Sequence, residues 1–154
     1  MKKTVAVIGS RGAIGNAVVD TLLADESVEA VFKFSRAEIT EHDNKVKHIF
    51  IDIEDEESIK QATESLPEDT KFDLIFVATG ILHDEKNVFP EKSIKDISFD
   101  KLIKVLTINT IGPTLVGKYF IPYLRKDSKS TFAFLSARVG SISDNKLGGW
   151  YSYR

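Results

Sequence analysis

Polar and apolar positions along the chain fall into two alternating patterns. Short β-branched or aromatic runs recur at 4–8, 30–34, 47–52, 72–79 and 131–136, each bounded by polar or glycine-containing turns. Runs of this length and composition are the pattern of strands buried on both faces. Between them lie stretches with apolar residues at i, i+3 and i+4, the spacing of a helix face laid on a sheet. Ile14, Ala17, Val18, Thr21 and Leu22 share one such face. Residues 55–66 present Ile59, Ala62 and Leu66, with Asp55 as cap, Glu56 and Glu57 in the first turn where the helix dipole favours acids, and Pro67 as the stop. Ser98 caps a helix whose inward residues are Phe99, Leu102, Ile103 and Leu106. A separate, longer helix carries Ile108, Ile111, Leu115, Tyr119 and Tyr123, with Gly112 and Pro113 near its start and Pro122 near its end. Residues 37–45 and 81–97 are polar or charged without periodicity and read as connections, the second suited to the flexible edge of a cleft.

Strands alternating with helices imply parallel pairing through right-handed crossovers, hence an α/β fold with a doubly wound parallel sheet. Ligands of such sheets sit outside the carboxyl ends of the strands. Arg36, Asp52 and the Ala78-Thr79-Gly80 corner all fall at that end, beside the turn Gly9-Ser10-Arg11-Gly12-Ala13-Ile14-Gly15.

That turn carries the strongest chemical signal. Gly9 permits a sharp exit from the first strand, Gly12 lets a ligand approach bare backbone, and Gly15 lets the helix pack close to the strand. Unpaired N–H groups and the positive end of the helix dipole converge there, which suits a diphosphate. Glycines alone could belong to a purely structural turn, but their place between a buried strand and an amphipathic helix points to a dinucleotide.

Composition narrows the classes further. The 154 residues carry a formal net charge of -2 with acids and bases interspersed, so no basic stripe speaks for nucleic acid. With no cysteine, disulfides and thiolate metal sites are excluded. His42, His48 and His83 stand at no metal-ligand spacing. The apolar run after Met1 is too short for a signal peptide, and no run suits a membrane span. A single domain over residues 1–154, soluble and cytoplasmic, is the expectation.

In these residues the chain resembles the short-chain dehydrogenase/reductase family over its whole length, and within it the sniffer-type carbonyl reductases and C-factor-like proteins. The resemblance rests on Gly9 to Gly15, Arg36, Asp52-Ile53, Ala78-Thr79-Gly80, Asn109-Thr110-Ile111-Gly112-Pro113, Ser136 to Ser141 and Tyr151 to Arg154. It implies a Rossmann-like sheet in the order 3-2-1-4-5. It also implies hydride transfer between NADPH and a small carbonyl or alcohol substrate, and assembly as a homo-oligomer. Arg11 and Arg36 then face the adenosine ribose; two bases with no acid suit NADP with its 2′-phosphate, unless both are solvated surface charges. Asp52 and the Ile53 backbone resemble the pair that holds adenine. The family's Asn-Ala-Gly corner is Ala78-Thr79-Gly80 here, without the asparagine.

The resemblance makes Tyr153 the general acid that protonates a carbonyl oxygen, with Tyr151 as its rival. It gives Asn109 a water-holding role in the proton relay. The family's second serine falls on Ala137, so Ser136 takes its place, with Ser141 as the alternative. An NADP-binding regulatory or signalling protein with weak or no catalysis remains the other reading. The family's lysine four residues after the tyrosine, and its remaining strands, would fall after Arg154. The chain is therefore expected to be the N-terminal part of such a domain, binding cofactor without useful turnover.

Overall fold

The computed structural model describes residues 2–37, 43–84, 88–141 and 143–154. Five strands form one parallel sheet in the order β3-β2-β1-β4-β5. They are β1 (Lys3–Ile8), β2 (Val28–Ser35), β3 (Val46–Phe50), β4 (Leu74–Val77) and β5 (Thr131–Phe134), with helices α1 (Ala13–Ala24), α2 (Glu56–Glu64), α3 (Phe99–Leu106) and α4 (Gly112–Phe120).

The period of two along β1 divides the core. Val5 and Val7 point to one face, where they pack with Val31 and with Val19 of α1. Ala6 and Ile8 point to the other, against Ile59 and Ala62 of α2 and Val116 and Phe120 of α4. Phe34 and Phe120 meet edge to face with ring centroids 5.1 Å apart, which joins β2 to α4. Burying each such ring contributes about 1.5–3 kcal/mol. No helix among the described residues is long and apolar enough to cross a membrane.

Three expectations need correcting. The inward face of α1 is Gly15, Val18, Val19 and Leu22, one position on from the face read in the sequence; Ile14, Ala17 and Thr21 are exposed. Gly15 must lie against the Gly9-Ser10 backbone that leaves β1, and that contact sets the rotation of the helix. On α3 it is Val105 that is buried, while Phe99, Ile103 and Leu106 face outward. The two helices expected after Ser98 are one helical path from Phe99 to Tyr123, with a π-helical turn at Thr107–Ile111 between α3 and α4 and a 3-10 turn at Ile121–Tyr123. Pro113 lacks the N–H that would bond the Asn109 carbonyl in an α-helix, and the wider turn absorbs that loss: the Gly112 N–H reaches back to the Thr107 carbonyl.

Strand ends also differ from the sequence reading. β3 stops at Phe50, β4 at Val77 and β5 at Phe134, so Asp52, Thr79 and Ser136 stand on loops past the carboxyl ends. Of the connection at 37–45, residues 38–42 lie outside the described residues, and so does His42.

Candidate functional site

Two adjoining clefts lie along the carboxyl edge of the sheet and share Gly12, Ala78, Thr79, Gly80 and Ile81. One, of about 540 Å³, is lined by Gly9, Arg11, Ser35, Arg36, Ile53, Glu54 and Ile108 besides these. The other, of about 830 Å³, reaches Ala13, Ile14, Asn109, Ser136, Ser141 and Tyr153.

The glycine turn is sterically compelled. Gly9 has φ +79°, and a Cβ on it would stand 2.8 Å from the Thr79 methyl. A Cβ on Gly15 would stand 2.2 Å from the Gly9 carbonyl oxygen. Gly12 differs: its nearest neighbour to a Cβ would be 3.5 Å away, so its open face belongs to the cleft. The N-cap of α1 is Gly12, which has no side chain to offer, and the first backbone N–H groups of the helix have no partner within it. On the same cleft wall the Thr79 hydroxyl oxygen is buried with no hydrogen-bond partner among the described residues. An elongated groove with open backbone, orphan donors and an unsatisfied hydroxyl fits a dinucleotide.

Among the residues expected to hold cofactor, Gly9, Arg11, Gly12, Ala13, Ile14, Arg36, Ile53, Ala78, Thr79 and Gly80 all line the clefts. Ser10, Gly15 and Asp52 line neither. The Ser10 hydroxyl is buried and donates to the Phe34 carbonyl, and Gly15 packs on the Gly9-Ser10 backbone. The Asp52 carboxylate accepts from the Glu54 N–H at 3.0 Å, tying its own loop.

Glu54 is the residue the sequence reading missed. The expected pair of bases without an acid does acquire one: Glu54 lies 3.5 Å from the Arg36 guanidinium and 2.6 Å from Lys104. Its signal is its place in the turn after β3, on the ligand side of the sheet. Arg36 keeps a 68 % exposed side chain, and at 3.5 Å it is loosely held.

The other cleft gathers Asn109, Ser136 and Tyr153. Both polar ends of the Asn109 amide are committed to Ile81: the oxygen accepts its N–H at 2.7 Å and the nitrogen donates to its carbonyl at 2.8 Å. Asn109 thus clamps the exit of β4 to the π-helical turn. Ser136 is exposed and makes no hydrogen bond among the described residues, whereas the Ser141 hydroxyl is shared with Ser143 at 3.1 Å. Tyr153 packs edge to face on Trp150 with centroids 5.9 Å apart, and Tyr151 does not line the cleft. Arg154 is spent on the Gly149 and Val139 carbonyls.

The family model described as short chain dehydrogenase matches residues 3–152. The chain is 28% identical over 153 residues to 1-hydroxy-2-glutathionyl-2-methyl-3-butene dehydrogenase of Rhodococcus sp. (strain AD45), covering 98% of this chain and 63% of that protein. It is 32% identical over 62 residues to the C-signal protein of Myxococcus xanthus, covering 40% of this chain and 37% of that one. In structure it matches NADPH-bound carbonyl reductase from chicken fatty liver at TM-score 0.82 and 26% identity, covering 99% of this chain and 65% of that one. The chain thus spans less than two thirds of these relatives.

Proposed function

The chain belongs to the short-chain dehydrogenase family, and on that premise we propose that it serves an NADP-dependent oxidoreductase acting on a small carbonyl or alcohol in the cytoplasm. One observation carries the reading: the continuous groove has Arg11 and Arg36 at one end and Tyr153, Ser136 and Asn109 at the other. Arg11 and Arg36 bind the 2′-phosphate, and the N–H groups at the start of α1 bind the diphosphate. When bound, NADPH supplies the hydride. The Tyr153 phenol gives a proton to the carbonyl oxygen, Ser136 orients that oxygen, and Asn109 fixes the turn beside them. Ile53 borders the adenine end, in a loop tied by the Asp52 carboxylate.

Arg36 exchanges its loose contact with Glu54 for the phosphate. A hydrogen bond to a charged group contributes about 1.5–3 kcal/mol, so Arg36→Ala weakens NADPH binding about 10–100-fold. Fluorescence titration of NADPH and NADH against wild type and this variant tests the reading. Equal affinity of the wild type for the two cofactors overturns it.

Ala137, in the place of the family's second serine, and the similarity to the C-signal protein support a second reading, an NADP-binding signalling protein. That reading requires tight NADPH binding with no NADPH oxidation by any of a panel of aldehydes and ketones. Under either reading we propose self-association. The helix expected over 109–124 carries more apolar width than one sheet face needs, but its Leu115, Val116, Tyr119, Phe120 and Tyr123 are all packed in or against the core. One exposed apolar face among the described residues is Phe99, Ile103 and Leu106 of α3, exposed by 76%, 47% and 39%.

A further inference from the structure

Glu91 is the least expected buried side chain in the molecule. It sits in the irregular stretch between β4 and α3, is only 2% exposed, and lines neither cleft. A buried carboxylate is costly unless its oxygens are hydrogen-bonded. One oxygen accepts from the Ser152 N–H at 3.3 Å; the other is buried with no partner among the described residues. The Glu91 backbone carbonyl accepts from the Trp150 N–H at 2.7 Å.

The segment held by these bonds is unusual. Gly148, Gly149 and Trp150 all have positive φ, of 70°, 72° and 54°. A Cβ on Gly149 would stand 3.0 Å from the Glu91 carbonyl oxygen, so glycine is what lets the two segments touch. Beyond them the Arg154 N–H returns to the Trp150 carbonyl at 2.9 Å, one turn of α-helix. Ser152 is the second residue inside that turn, where an N–H has no partner within the helix. An acceptor there normally comes from a side chain at the start of the same turn; here it comes from a segment far away in sequence. Burial works against the charged carboxylate, but hydrogen bonds from Ser152 and from its own backbone, with the Lys101 charge, hold it below the usual range.

We propose that Glu91 is a positioning residue: it caps the turn Trp150–Arg154 from outside and so fixes where the Tyr153 phenol stands in the cleft. This rests on the role proposed for Tyr153. A carboxylate there does what an apolar residue could not, since it offers an acceptor to an orphan N–H. The Trp150 N–H is held by the Glu91 backbone carbonyl, a bond that a change of the Glu91 side chain leaves available.

Trp150 is the one tryptophan in the sequence and packs edge to face with Tyr153, so its emission and near-ultraviolet circular dichroism report this turn with or without cofactor. Glu91→Asp keeps the charge but withdraws it by one methylene, Glu91→Ala removes the acceptor, and Glu91→Gln keeps an acceptor oxygen. The expected result is red-shifted emission and a weakened near-ultraviolet band in the Asp and Ala variants, with both restored in the Gln variant and far-ultraviolet spectra unchanged in Asp and Gln. A wild-type Trp150 signal in Glu91→Asp, or a Gln variant as perturbed as the Asp variant, overturns the proposal. If Glu91→Ala does not fold, the Asp and Gln pair decides. NADPH titration of the same variants reads the proposed function separately. Failure to bind NADPH with the Trp150 pattern intact removes that reading and leaves Glu91 its place.

Discussion

Gly15 and Gly140 differ in what surrounds them, and the difference is measurable. The Gly15→Ala methyl would meet the Gly9 carbonyl at 2.2 Å, backbone that cannot swing aside, whereas a Cβ on Gly140 meets nothing within 4 Å. Gly15→Ala is expected to cost about 1–3 kcal/mol by overpacking, and Gly140→Ala to stay within about 0.5 kcal/mol of wild type. Urea melts of the two variants check this. Such glycines are legible in a sequence because their demand is local: a strand, a turn and a helix lie within one short stretch. Ile14, exposed where periodicity puts it on the inward face, shows the other side of this. Periodicity names a face to within one residue, and the contact of Gly15 with the Gly9-Ser10 backbone decides which neighbour turns to the cleft. The Arg36–Glu54 contact was not legible at all, since it joins the ends of two different strands.

At the scale of elements, Asp73 ties the starts of several strands. Its carboxylate accepts from the Thr4 N–H and from the Arg125 side chain, both at 2.9 Å, while its backbone bonds Thr4 and Thr131. The Asp73 carboxylate in turn holds the Arg125 guanidinium above its ordinary pKa. Both side chains are mostly buried, at 13% and 20% exposure. Asp73→Ala should therefore cost about 1.5–3 kcal/mol, as loss of a hydrogen bond to a charged group, read from the urea midpoint at constant slope. The strands themselves were plain in the sequence because their apolar runs are bounded by turns. The junction of α3 and α4 was not. Asn109, Gly112 and Pro113 look like a helix start, and it takes the structure to show that the missing proline N–H widens the turn instead of breaking it.

For the molecule as a whole, acid should be the destabilising direction. Asp25 is held below its ordinary value by Ser27, Glu56 by Lys118 and Tyr119, and Asp96 by the Ser93 backbone, and Glu91 lies low as well. A carboxyl depressed by folding adds stability above its unfolded value, and that stability is lost as pH falls through the folded one. Urea midpoints should be level above about pH 5 and decline below about pH 4. Phe99→Ser with Ile103→Ser should shift the proposed assembly toward monomer by light scattering, with the melting transition preserved.

The π-helical turn at Thr107–Ile111 has a consequence of its own. Each residue of an α-helix advances the winding by about 100°. Deleting one residue there would restore regular winding and rotate everything before it by about that angle relative to α4. Lys104 would be carried away from Glu54, and the apolar face of Phe99 would swing to another side of the molecule. Residue number in this stretch thus acts as a phase setting, and a change of length within it reads out as a rotation of α3.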